Sequence, residues 1–319
     1  MQVAGSIAHL LTDFHRKRQI RKKSAAALRW LSTREHEFAV DTAADGERRL
    51  EPTPWLAKPL CELIFLLLVL HRHGVADDIV AKLDRLAIAQ ARDFDWHQLA
   101  AYDPSAATPL ATVADYFAIM SEPHPFEVAH LDHLYRSGYF HGMDRLPYRD
   151  MDLDYCMSRI GHPAAAQGLA GAFADTAFGK QKNLSRYSID DIYSLTHSIF
   201  YLTDLGFRRP DALLERETVA RMRRTLIGLT GIMIRSDNRD VLGELLLCWR
   251  FCGIVPDAFE KRLYTVGVDQ LLLHMNDDGS LPHNAKVKER SASGKARFIE
   301  LYHTTLVAAL FLSIERSAA

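Results

Sequence analysis

The sequence predicts an all-α protein, arranged as an α/α toroid of about six helical hairpins with an inner and an outer ring of helices. Three observations carry that expectation. Apolar residues recur with helical periodicity, and no segment alternates as a strand would. Glycine and proline fall mostly between the apolar segments, as in GHPAAAQG (161–168) and CGIVPDAF (252–259). The third observation is a repeat: a polar start, an apolar run and a terminal glycine suited to the residue after a helix.

Along the chain, HRKRQIRKK (15–23) carries six Lys/Arg and reads as a solvated helix face or helix end, or else as a basic arm. No aromatic residues interleave with it, so it lacks the stacking half of a single-strand binding surface. KPLCELIFLLLVLHRHG (58–74), DIYSLTHSIFYLTDLG (191–206) and DVLGELLLCWRFCG (240–253) follow the repeat. Nine residues before Gly206, Gly253 and Gly161 stand His197, Glu244 and Asp152; Glu62 stands twelve before Gly74. Asp115 in ATVADYFAIM and His303 in LYHTTLVAAL match by their surroundings, without the glycine.

The spacings between 62, 115, 152, 197, 244 and 303 are 53, 37, 45, 47 and 59 residues, each room for a helix out, a helix back and two loops. Amphipathic stretches between them, such as DDIVAKLDRLAIAQAR (77–92), FEVAHLDHLYRSG (126–138) and DAFEKRLYTVGVDQLLLHM (257–275), supply the outer layer. The whole chain, 1–319, is expected to be one such domain, with N-terminal helices in 1–57 packing on the ring or closing it. An open solenoid of the same hairpins is the competing arrangement.

Polar residues in the first turns of parallel inner helices would converge on one mouth, because a buried Asp, Glu or His is costly unless paired or wet. Asp115 and Asp152 could instead be helix caps, and Glu62 could cap its helix or pair with Lys58. His197, mid-run in SLTHSIFYL, lies beyond any cap. Glu244 shares a face with Asp240, four residues earlier. The expected catalytic set is His197, Glu244, His303 and Asp152, a desolvated carboxyl donating a proton and an imidazole serving as base. Glu62, Asp115, Tyr193, Asp240 and Tyr302 are expected to bind substrate. Cyclisation, isomerisation or elimination on a small, mostly apolar metabolite suits such groups. A non-catalytic helical-repeat binding or scaffold protein is the alternative.

Composition narrows the partners. A net charge of -1 argues against a nucleic-acid or anionic-membrane partner. Cys61, Cys156, Cys248 and Cys252 sit in apolar runs without a C-x-x-C pair, and MQVAGSIAHLLTDF lacks a charged region ahead of its apolar part. Reduced thiols and a cytoplasmic location are expected. P-loop, G-x-G-x-x-G, G-x-S-x-G and H-E-x-x-H motifs are absent.

ELYHTTLVAALFL (300–312) resembles the Tyr-His-Thr segment of protein prenyltransferase β-subunits, which are α/α toroids. DDGSLPHN (277–284) resembles the glycine-rich loop before that helix, with similar turns in terpene cyclases. The resemblance implies a zinc-ligand role for His303, with an aspartate and a cysteine two residues apart as the other ligands. Asp240 has a comparable place, but Leu242 stands at the cysteine's position, so no metal and no cofactor is expected. Asp150, Asp152 and Asp154 do not spell the terpene cyclase D-x-D-D. The whole chain is also similar to an uncharacterised group of bacterial helical proteins sharing K-P-L-x-E-L (58–63), L-T-H-x-x-F-Y-x-T-D-x-G (195–206) and Y-H-T-T-L-V (302–307). That resemblance implies a helical fold and an association with specialised, natural-product metabolism.

Overall fold

The computed structural model describes residues 13–40, 54–180, 182–288 and 294–317. Among these, every regular element is a helix. In chain order they are α1 (Asp13–Ser32), α2 (Glu35–Phe38), α3 (Pro54–Arg72), α4 (Asp78–Asp93) and α5 (Trp96–Tyr102). There follow α6 (Ala107–Ile119), α7 (Val128–Arg136), α8 (Pro147–Arg159), α9 (Pro163–Asp175) and α10 (Ile189–Leu202). The last are α11 (Arg216–Ser236), α12 (Arg239–Phe251), α13 (Ala258–His274), α14 (Ala285–Lys288) and α15 (Gly294–Ser317).

Two classes of helix alternate along the chain, as their composition demands. In α12 every residue but Arg250 is buried, and α15 is buried from Thr304 to Ile314. Helices apolar all round must be covered all round. Each therefore packs between like helices: α3 on α6, α6 on α8, α8 on α10, α10 on α12, α12 on α15, and α15 on α3. The second class lies against their outer sides: α4 on α3, α7 on α6, α9 on α8, α11 and α13 on α12, and α1 on α15. α1 also touches α4 and α13. Among the described residues α15 alone is long and apolar enough to cross a membrane, and 72% of that window is buried in the protein's own core.

The basic stretch of α1 is partly structural. Arg16 Nε donates to Asp269 on α13 at 2.8 Å, and Lys23 Nζ to the Met275 carbonyl at 3.1 Å. Lys17, Arg18, Arg21 and Lys22 form the exposed face. The N-terminal segment expected to lack a leader lies mostly outside the described residues.

Gly74, Gly161, Gly206 and Gly253, the glycines that ended each repeat, all have positive φ, from 58° to 102°. Gly206 ends an unusual turn in which Asp204 and Leu205 also sit at φ 49° and 56°. A left-handed Leu costs about 1–2 kcal/mol. The turn is held by what it meets. Asp204 accepts from Arg72 Nη2 at 2.9 Å and from the Tyr155 hydroxyl at 2.8 Å, while the Leu205 carbonyl lies 2.8 Å from His73 Nε2. Three inner helices, α3, α8 and α10, are tied together there.

One expectation is corrected. The polar residues are not in the first turns of the inner helices. α3 starts at Pro54 and α15 at Gly294, so Glu62 and His303 lie about two turns inside. Asp115 and Asp152 are interior residues of α6 and α8, not caps.

A Cβ on Gly206 would lie 2.8 Å from Phe251 Cδ1. Gly206→Ala should therefore cost about 1–3 kcal/mol, read as a drop in melting temperature. Gly74→Ala, with positive φ but nothing within 4 Å, should cost less. Equal effects would show that the close contact with α12 contributes nothing.

Candidate functional site

Four inner helices bring their polar residues to one place. α15 supplies His303, α3 supplies Glu62, α12 supplies Asp240 and Glu244, and α10 supplies Tyr193, Thr196 and His197. His303 Nδ1 donates to Glu62 Oε2 at 3.0 Å. Its Nε2 then faces Asp240 Oδ2 at 3.6 Å and Glu244 Oε1 at 3.9 Å. The Tyr193 hydroxyl donates to Asp240 Oδ2 at 2.5 Å, and the Thr196 hydroxyl to Glu244 Oε2 at 2.5 Å. Tyr302 hydrogen-bonds Glu62 through its hydroxyl. Lys58, one turn before Glu62, lies 3.6 Å from its Oε1.

These groups form one partly exposed polar cluster, or recess, among the four helices: His303 is 35% exposed and Glu62 24%. The outer side of α15 is covered by α1 and that of α3 by α4. Glu244 is only 3% exposed and sits in the wall.

Electrostatics follows from that placement. Burial alone would lower the His303 pKa, but the Asp240 and Glu62 carboxylates outweigh it and raise it to about 10. That shift favours the imidazolium form of His303 at neutral pH. Burial raises the Glu244 pKa, with the Asp240 charge adding to it, against the opposing pull of His197, His303 and the Thr196 bond. Desolvation acts the same way on Glu62, yet His303, Lys58 and Tyr302 prevail and lower its pKa. His197 Nδ1 is committed to the Tyr193 carbonyl at 2.8 Å.

Asp152 and Asp115 stand apart from this group. Asp152 accepts from Arg149 Nη1 at 3.1 Å, and from the Tyr201 hydroxyl. Asp115 accepts from Arg159 Nε at 3.0 Å, toward the ends of the helices where Arg72 and Asp204 meet. Thr196 and Arg149 were not singled out in the sequence. A threonine inside an apolar run reads as packing, and Arg149 could have been noticed only as the residue three before Asp152. Two surface clefts, of about 510 and 310 Å³, lie elsewhere, one beside Ser32 and Lys82 and the other beside Arg209 and Cys252.

The family described as Domain of unknown function (DUF6895) matches residues 24–313. The chain belongs to the DUF6895 family. This agrees with the similarity to an uncharacterised group of helical proteins. No curated protein matches this DUF6895 member. A solved structure, "Crystal structure of a protein from Actinoplanes", is similar over 94% of this chain and 100% of its own, with a TM-score of 0.50 and 11% identity. That likeness is one of fold alone.

Asp240, Glu244 and His303 offer three ligand atoms within 4.8 Å of one another, the donor set that could hold a cation. The fit to the zinc implied by the prenyltransferase resemblance is poor. Leu242 is buried core, and the Cys248 thiol is turned to the Thr196 carbonyl at 3.7 Å. Protons and hydroxyls already occupy His303 Nε2, Asp240 Oδ2 and Glu244 Oε2. All four cysteines are free thiols. Zinc in the purified protein should therefore fall well below one per chain by elemental analysis. One tightly held zinc, lost in His303→Ala, would overturn this.

The raised His303 pKa has a thermodynamic counterpart. A group whose folded pKa exceeds its unfolded value stabilises fully below the unfolded pKa and loses that contribution as pH rises through the folded one. The window here runs from the ordinary 6.5 to about 10. The melting temperature should fall across it, and His303→Gln should flatten the slope. An unchanged slope in that variant would place the titrating group elsewhere.

Proposed function

We propose that this chain is an enzyme that performs acid-base chemistry on a small, mostly apolar metabolite held in the recess. Its frame, on this reading, is a single α/α-toroid domain. The supporting observation is the cyclic order of neighbours among α3, α6, α8, α10, α12 and α15. α1 completes the outer layer on α15. Buried membrane-length apolarity in α15 and four free thiols fit a cytoplasmic setting, without nucleic acid or membrane as partner. A place in specialised metabolism rests on the sequence resemblance alone.

The observation that carries the reading is the convergence of His303, Glu62, Asp240 and Glu244 from three helices, with His197 beside Glu244. His303, held as imidazolium, is the proton donor. Glu244, whose burial favours the protonated form, is a second donor or a relay. His197 Nε2 is the acceptor, because its other nitrogen is fixed to Tyr193. A proton delivered to one substrate atom and another removed from a neighbouring one gives an isomerisation, elimination or cyclisation with no net oxidant or reductant. Tyr193 and Tyr302, by holding Asp240 and Glu62, keep the carboxylates aimed at His303.

A second reading, a non-catalytic binding protein, is favoured by Asp115 and Asp152, each satisfied by its own arginine. The two readings separate in His197→Ala and Glu244→Gln. Incubated with small-molecule extracts of its source, the wild type should alter a metabolite, and both variants should lose about two orders of magnitude in rate. Their melting temperatures should stay level or rise, because costly polar burial is relieved. Variants that melt several degrees lower while retaining the ligand would make these residues structural and the protein a binder.

A further inference from the structure

The surface cleft of about 310 Å³ lies outside the recess, between α11 and the chain that follows α10 and α12. One wall is a face of α11. Arg216, Val219, Ala220, Arg223 and Leu226 line it, and their spacing of three or four residues puts them on one stripe of the helix. The other wall is made by Arg209 and by the loop after α12, residues 252–255. Met222, Leu226 and Cys252 are buried at its base. Val255 stands at its edge, an apolar side chain 80% exposed. A mostly apolar lining with a few charged groups is the make-up of a small-molecule site, and the volume falls at the lower end of the usual range of about 300–1,000 Å³.

Two of the arginines are built into the walls. Arg209 Nη1 donates to the Gly253 carbonyl at 2.8 Å. Gly253 has φ 58°, and a Cβ there would collide with that same nitrogen, so the glycine that ends α12 also makes room for a guanidinium. Arg223 Nη2 donates to the Val255 carbonyl at 2.9 Å. The loop is thus clipped by one arginine from each wall.

The charges around the cleft do not balance. Arg223 is neutralised by Glu260, which accepts from its Nε at 3.0 Å, with the Asp257 charge beside them. Arg209 has Asp211 at 3.9 Å from its Nε. Arg216 has no hydrogen bond or ion pair among the described residues. Glu215 and Glu217 flank it in sequence but do not line the cleft. Among the residues that do, Asp211 is the one carboxylate against three arginines.

We infer that this cleft binds a small carboxylic acid, its carboxylate taken by Arg216 with Arg209 across the cleft, and its apolar body lying over Met222 and Leu226 against Val255. A guanidinium without a carboxylate partner matches a carboxylate by charge and by its fork of N–H donors. The site is separate from the recess and does not depend on the acid-base reading.

Binding tests it. 1-Naphthylacetate and the uncharged 1-naphthylacetamide, alike in shape, are titrated into the full chain at neutral pH by calorimetry. The acid should bind about tenfold more tightly than the amide and raise the melting temperature as it saturates. Arg216→Gln should remove that preference and leave the amide's affinity unchanged. Val255→Glu, at a side chain too exposed to matter for folding, should weaken the acid by repulsion. His303→Gln, altered only in the recess, should bind the acid as the wild type does. Circular dichroism should show all three variants folded; should Arg216→Gln fail to fold, Val255→Glu carries the comparison. Equal binding of acid and amide, a preference undiminished in Arg216→Gln and Val255→Glu, or no binding of the acid would overturn the assignment. So would loss of the acid in His303→Gln alone, which would seat it in the recess. Turnover is not read, so failure of the acid-base reading leaves this result standing, and the reverse holds.

Discussion

Carboxylates that share a partly dry recess require a cation, and His303 faces three of them. Glu62, Asp240 and Glu244 come from two helices that are neighbours of α15 on opposite sides. Like charges this close would repel, and each would bear a desolvation cost on its own. An imidazolium between them offsets both effects at once. The interaction therefore does two things: it joins α3 to α12 through α15, and it fixes the protonation state of the site. Tyr193 and Thr196 extend the same tie to α10: Tyr193 donates to Asp240 Oδ2, the oxygen that faces His303, and Thr196 to Glu244 Oε2, the oxygen that does not. One oxygen, Asp240 Oδ1, remains buried without a hydrogen-bond partner. An orphaned acceptor of this kind costs about 1–3 kcal/mol, an expense more typical of a working site than of a structural bridge.

A different network closes the packing on the far side of the inner helices. There Arg72 reaches both the Tyr155 hydroxyl and Asp204, each bond fully formed. Asp115 meets Arg159, within reach of the charge on Asp204. His73 stacks on Phe251 and lies tilted against Phe207 while bonding the Leu205 carbonyl. Here opposite charges pair one to one and the geometry includes three successive residues at positive φ. The contrast between the two ends is informative. One is satisfied and holds strain; the other is over-supplied with acceptors and open to solvent.

The sequence made the helical class and the alternation of inner and outer helices legible, because both are local. Glycines at 74, 161, 206 and 253 mark helix ends through a property of single residues, their access to positive φ. Counting back from them found His197 and Glu244, which the structure places on adjacent helices near one another. The same counting grouped Asp152 with them, and likeness of surroundings grouped Asp115, and there the pattern ran out. An offset from a glycine gives depth along a helix but not rotation about its axis. Asp152 turns to Arg149 and Asp115 to Arg159, away from the company of His197 and Glu244. The starts of α3 and α15 were misjudged for a related reason. The first turn of α15, Gly294–Arg297, lacks an apolar run, and that of α3, Pro54–Ala57, is set off from the main apolar run by Lys58 and Pro59; helix ends are where pattern is weakest. Arg149 and Thr196 carried no local signal at all; each is defined by a partner.

The protonation of His303 has a consequence for the division of labour in the recess. A histidine whose pKa is about 10 holds its proton throughout the neutral range, so it gives protons readily only to a group that becomes strongly basic in the reaction. On the proposed reading the acceptor is therefore His197, whose orientation is set by Tyr193: its Nδ1 is hydrogen-bonded to the Tyr193 carbonyl at 2.8 Å. The same tyrosine's hydroxyl holds Asp240, one of the charges that keeps His303 protonated. A single residue on α10 thus touches both histidines' surroundings, its backbone carbonyl bonding His197 and its hydroxyl holding the Asp240 carboxylate that faces His303. Such coupling through one residue accounts for why α10, α12 and α15 must keep their register to within a hydrogen bond, and why the shared packing that fixes that register is built from helices buried on every side.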